Sequence, residues 1–201
     1  MIKMILRIAA FVSVGLVVVV TVLVLSFSIR LPLHNGTRVA SGNECRFLKW
    51  ERVLNRTQTL SSCGPYSTRV FIYEKTGEII DPELINREMP CRIKNGLTLP
   101  WGIVRYLRHH DLRASVYLFI LCDNGYYINW IKNRIDRNDP VIVTLGRSRH
   151  YVTVVGYEND EAYVYDPAWF GNNGNAPGNR KLGFHDPLFV GERVRFGITI
   201  N

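Results

Sequence analysis

Apolar and polar positions follow three different rhythms along this chain. From Ile8 to Ile29 there is no rhythm at all: 22 residues pass without a charge, with Lys3 and Arg7 before them and Arg30 after. A helix of that length crosses a hydrocarbon core of about 30 Å. Residues 31–44 (LPLHNGTRVASGNE) carry Pro, Gly, Ser and Asn without period and read as a linker. Helical spacing then takes over. Val70, Phe71 and Tyr73 give an apolar stripe ended by Gly77, with Pro65 in the first turn and Ser61 or Ser62 as the cap. Pro82, Pro90, Gly96 and Pro100 leave room only for short helical pieces. Helices are predicted again over Trp101–His110 and Asn124–Asn138, on either side of a strand-length apolar run, Arg113–Cys122.

From Pro140 the rhythm becomes that of strands. PVIVTL (140–145), HYVTVVGY (150–157) and AYVY (162–165) are joined by turn-like GRSR and ENDE, so they should be consecutive antiparallel neighbours. GNNGNAPGN (171–179) reads as a loop, and RVRFGITI (193–200) as a final strand. CRFLKWERVLNRT (45–57) fits a short strand or a helical turn. Helices first and an antiparallel sheet afterwards predict an α+β domain over residues 45–201, behind the 1–30 membrane segment and the 31–44 linker.

The membrane segment has two readings. A cleaved signal peptide would end at the small-x-small site Ser26-Phe27-Ser28, and removal of residues 1–28 would leave a secreted protein. Apolar regions of such peptides span about 7–15 residues, however, and the longer run here fits an uncleaved signal anchor with Lys3 and Arg7 in the cytoplasm. The expected location is a single-pass membrane protein with its folded domain outside the cytoplasm.

Charge narrows the partners. The chain carries a formal net charge of +8, and residues 31–201 hold 22 bases against 17 acids. The excess is scattered, and no stretch interleaves bases with aromatics as a nucleic-acid groove would. Of the four cysteines, Cys45, Cys63, Cys91 and Cys122, no pair has CxxC spacing and no histidines flank them as ligands, so neither a metal site nor a cofactor is expected. An even count in an oxidising compartment allows disulfides, whose pairing the sequence leaves open.

One constellation carries chemistry. Cys63, before Gly64-Pro65, falls at a helix N-terminus, where unpaired N–H groups and the helix dipole favour a thiolate. His150 begins one strand and Asp166 ends the next, so antiparallel pairing brings both to one edge of the sheet. An imidazole with one nitrogen toward a thiol and the other on a carboxylate is a general base with its orienter. Gln58, just upstream of Cys63, supplies an amide for an oxyanion.

Gln58…Cys63-Gly64-Pro65, Pro140-Val-Ile-Val, His150-Tyr-Val-Thr-Val-Val-Gly-Tyr157 and Tyr165-Asp166-Pro167 together resemble the peptidase C39-like family, papain-like cysteine peptidases related to bacteriocin leader peptidases. The resemblance spans roughly residues 55–170. It implies a papain-like fold, a Cys63 nucleophile, a His150 base, an Asp166 orienter and a Gln58 oxyanion donor. Gln58 stands five positions before Cys63, where the family places its glutamine six before. The expected function is a membrane-anchored thiol peptidase that cleaves peptide or protein substrates through a thioester acyl-enzyme. An acyltransferase or transglutaminase would use the same triad, and a silent papain-fold binding or assembly module would keep only the shell.

Overall fold

The computed structural model describes residues 12–18, 21, 29–30, 45–48, 61–93, 97–146, 150–169 and 179–201, with side chains 45–47 and 179 left aside. Its strands are β1 (Ile29–Arg30), β2 (Cys45–Phe47), β3 (Ala114–Ile120), β4 (Val141–Leu145), β5 (His150–Glu158), β6 (Glu161–Tyr165), β7 (Asn179–Gly183) and β8 (Val194–Ile200). Its helices are α1 (Cys63–Thr76), α2 (Pro82–Glu88), α3 (Pro100–His109), α4 (Asn124–Asp136) and α5 (Pro187–Val190). The fold class is α+β, as the sequence predicts.

One sheet joins all eight strands in the order β1-β3-β8-β4-β5-β6-β7, and β2 continues along β5 past the end of β4. The β4-β5-β6 meander matches the expected antiparallel neighbours. Three features differ from the sequence reading. The sheet is mixed rather than antiparallel, because β1 runs parallel to β3, with Ile29 opposite Val116. Asn179 belongs to no loop: it opens β7, which pairs with β6 through Asn179–Tyr165 and Arg180–Val164. The C-terminal strand β8 lies inside the sheet, between β3 and β4.

The membrane segment finds no support among the described residues. Among the described residues no helix is long and apolar enough to cross a membrane. Residues 12–18 are helical, but Ile29, expected to close the spanning run, is a sheet residue instead. Apart from Thr21, the rest of that run lies outside the described residues, as does the 31–44 linker.

Both faces of the sheet are covered, and the strands show it by alternation. Val116, Ile142, Tyr151 and Ile198 face a cluster with Phe71 and Ile72 of α1, Ile85 of α2, and Ile103, Val104 and Leu107 of α3. Their neighbours Tyr117, Phe119, Val141, Val143, Val152 and Val154 face Tyr127, Ile128, Ile131 and Ile135 of α4 on the other side. That is why PVIVTL and HYVTVV are apolar at nearly every position rather than at every second one.

α1 is buried more completely than the apolar stripe in its sequence predicts. Every residue from Gly64 to Ile72 is buried, polar ones included. Two hydroxyls find acceptors inside: Ser67 Oγ donates to the Tyr151 carbonyl at 3.0 Å, and Thr68 Oγ1 to the Gly64 carbonyl at 2.8 Å. Ser62 is the N-cap by position but makes no side-chain capping bond; Gly77 ends the helix at φ 77°, its N–H on the Tyr73 carbonyl.

On the opposite face Gly197 of β8 lies beneath Trp130. A Cβ there would come within 2.5 Å of two Trp130 ring carbons, and the ring is itself wedged against Tyr117 and Phe119. Gly197→Ala should therefore destabilise the fold by ~1–3 kcal/mol. At about 2–4 °C per kcal/mol for a chain of this size, calorimetry would register that overpacking as a lower Tm. An unchanged Tm would mean that Trp130 moves aside freely.

Candidate active site

Cys63 is the first residue of α1, as its sequence context predicts. Two contacts fix this end of the helix against β5: the Ser67 hydroxyl on the Tyr151 carbonyl, and the Thr153 hydroxyl on the Ser67 carbonyl at 2.8 Å. A third element presses from outside. A Cβ at position 64 would lie 2.7 Å from Thr98, and Tyr151 Oη donates to the Thr98 carbonyl at 3.0 Å. Only glycine fits between Cys63 and Pro65. The loop containing Thr98 also supplies Arg92, whose guanidinium donates to the carbonyls of Ser61 (3.3 Å) and Asn86 (3.0 Å). Ser61 is held at φ 59° immediately upstream of the helix.

β5 begins at His150 and β6 ends just before Asp166, so the meander brings the two together as expected. His150 Nε2 lies 2.6 Å from Asp166 Oδ1. The Asp166 side chain is 4% exposed, and its other contacts leave neither oxygen idle: the Ala168 N–H donates to Oδ1 at 3.0 Å and Arg180 Nη1 to Oδ2 at 3.1 Å. The His150 ring and the Cys63 thiol each favour the other's charged form. Three of the four residues proposed from the sequence thus form one chain of contacts, Cys63–His150–Asp166. The fourth, Gln58, lies outside the described residues. The N–H groups of Cys63 and Gly64, which precede any possible intrahelical acceptor, remain as donors at the helix start.

The electrostatics follow from this packing. Burial opposes ionisation of Cys63, but the His150 hydrogen bond and charge, with the backbone N–H groups of Tyr151 and Gly64, outweigh it and hold the thiol below its ordinary 9.0. Burial likewise disfavours an imidazolium, yet hydrogen bonds to Asp166 and Cys63, reinforced by their charges, raise His150 from 6.5 to about 9. Asp166, despite burial, is held below the usual carboxylate value by His150, the Ala168 N–H and Arg180. These directions favour a thiolate beside an imidazolium, with an ionised carboxylate behind them.

Cys63, Cys91 and Cys122 are free thiols, so no disulfide traps the nucleophile; the Cys45 side chain lies outside the described set. Sequence reasoning missed Arg180. It stands on an edge strand behind a Gly/Asn-rich stretch, in a segment (NRKLG) without alternation. The only signal was a base within reach of the loop after Asp166.

Residues 114–181 match the Peptidase_C39 like family. Over that span the chain is C39-like. The matched span runs from β3 into β7 and includes His150, Asp166 and Arg180, while Cys63 lies outside it. Two solved structures share the fold of this C39-like chain. A double glycine motif protease from an AMS/PCAT transporter, solved in complex with the leader peptide, is 15% identical with a TM-score of 0.53, covering 78% of this chain and 95% of that one. A Bacillus anthracis protein described as a C39-like peptidase is 12% identical with a TM-score of 0.51, covering 78% and 98%. No curated protein sequence matches significantly.

The paired charges have a pH signature. Alone, His150 contributes stability that is complete below 6.5 and lost as pH rises to about 9. Cys63, with its pKa lowered from 9.0, contributes in the opposite sense: its share grows as pH climbs toward 9.0. In the intact C39-like site the two trends offset each other. Cys63→Ala removes the Cys63 share and part of what raises His150, leaving the trend sustained by Asp166, so its Tm should fall as pH rises above 6.5 where the parent's stays flatter. Identical profiles for the two proteins would argue against a charged pair.

Proposed function

We propose that this chain is a cysteine peptidase that cleaves through an acyl-enzyme on Cys63. The observation that carries the proposal is the 2.6 Å His150–Asp166 contact behind a thiol at a helix N-terminus. The Cys63 thiolate attacks a substrate carbonyl carbon, and the C–S bond forms as the carbonyl oxygen takes the negative charge. That oxygen is received by the N–H groups at the start of α1 and by Gln58. Collapse breaks the C–N bond, and the imidazolium gives its proton to the departing amine. Neutral His150 then takes a proton from water, which attacks the thioester, and the acid leaves as Cys63 is regenerated. Throughout, Asp166 keeps Nε2 engaged so that Nδ1 faces the sulfur.

The solved double glycine motif protease in complex with a leader peptide supports a peptide substrate. The uncharged run from Ile8 to Ile29, with bases on both sides, supports tethering the domain to a membrane, with the site outside the cytoplasm.

The full chain, treated with iodoacetamide between pH 5.5 and 8.5 and mapped by mass spectrometry, should label Cys63 rapidly well below pH 8.5, and His150→Ala should slow that labelling. Against a panel of peptides that includes double-glycine sequences, wild type should cleave, Cys63→Ala should not, and His150→Ala should lose about 10²–10⁴-fold in rate. Cleavage that survives Cys63→Ala, or a Cys63 no more reactive than Cys91 or Cys122, would remove the peptidase reading.

A further inference from the structure

The proposed triad accounts for one oxygen of the Asp166 carboxylate. The other is held by Arg180, at 3.1 Å from Nη1 to Oδ2. Arg180 is itself supported: its guanidinium lies over the Trp169 ring, 4.6 Å from the centroid, and its side chain is only 22% exposed. β7 places it there. Pairing of Arg180 with Val164 on β6 puts its Cα two residues before Asp166 on the neighbouring strand, within reach of the carboxylate. Trp169 comes from the turn that follows Asp166, whose carbonyl accepts the Trp169 N–H at 3.0 Å. Strand, turn and ring thus converge on one buried carboxylate.

We propose that Arg180, stacked on Trp169, is a positioning residue that fixes the plane of the Asp166 carboxylate so that Oδ1 faces His150. The inference rests on the triad reading and extends it by a fourth member. A carboxylate bonded by a single histidine can rotate about its Cβ–Cγ bond and swing that oxygen away. One tied at Oδ2 by a guanidinium and at Oδ1 by a backbone N–H cannot do so without breaking two further bonds. A flat guanidinium on an aromatic face also has few other positions to adopt.

Among the described residues, the charged and titratable groups facing the site are Cys63 from α1, His150 from β5, Asp166 at the end of β6, Arg180 from β7 and, near Cys63, Arg92. The two roles Arg180 could have on His150 differ in sign. As a positive charge alone it opposes protonation of the nearby ring, so removing it would raise the His150 pKa. As the clamp on Asp166 it sustains the bond that charges the ring, so removing it should lower the pKa.

NMR titration of the His150 imidazole in the full-length protein separates them, with Cys63 labelling run alongside. Wild type should titrate at about 9. Arg180→Gln should titrate at least about one pH unit lower, and Arg180→Lys, which keeps the charge but loses the fork and the stack, should fall between. An unmoved or raised His150 pKa in Arg180→Gln overturns the proposal. Should Arg180→Gln fail to fold, Trp169→Leu removes the stacking while sparing the ion pair; a lowered pKa supports the clamp and an unchanged one refutes it. If wild type itself shows neither rapid Cys63 labelling nor an elevated His150 pKa, the triad reading fails. If wild type shows both and the variants leave the pKa in place, only the role of Arg180 fails.

Discussion

The seating of α1 on β5 is the constraint on which the site depends. A helix buried on all sides cannot be positioned by an apolar stripe alone, because a stripe fixes a face and leaves sliding along the axis cheap. Here two hydroxyl–carbonyl bonds, from Ser67 to Tyr151 and from Thr153 to Ser67, set the translation of the helix against the strand. The absence of a Cβ at Gly64 lets Thr98 press on its first turn. Cys63 and His150 each sit at the first residue of their element, so an error in that seating would pass undiminished into the distance between sulfur and ring. The polar content of the α1 sequence, which makes it look like a surface helix, is what locates it in the interior.

Charge is handled in the same economical manner. Thiol, imidazole, carboxylate and guanidinium alternate in sign along a single line from α1 to β7, and each partly buried charge has an opposite neighbour. Cys63, His150 and Asp166 each have their charged form favoured by a neighbour against the cost of burial. The line crosses from a buried helix through the sheet to an edge strand, so its outermost member is the one nearest solvent.

Much of this was legible in the chain. The β4-β5-β6 meander followed from short turns between apolar runs, and the meeting of His150 with Asp166 followed from the meander. The helix start at Cys63 followed from Ser-Ser-Cys-Gly-Pro. What escaped shares one cause: pairing partners distant in sequence leave no local mark. Ile29–Arg30 is too short to show a period and lay inside an apolar run with another plausible use. NRKLG carries no alternation, because an edge strand facing solvent tolerates lysine and arginine, and so Arg180 passed unnoticed. The burial of α1 was hidden because nothing in its own residues shows that helices and strands close over it on every side.

The placement of β8 has a consequence for how the protein is made. Its residues are the last of the described chain, yet they fill the gap between β3 and β4. Until they arrive, the sheet is two separate pieces, with β3 on one and the strands bearing His150 and Asp166 on the other. A ribosome delivering this chain from its N-terminus therefore releases a nascent domain whose two halves cannot join, and whose central edges stand open, until the final strand emerges. The β4-β5-β6 meander can hold His150 against Asp166 beforehand, but its β4 edge is covered only when β8 pairs there.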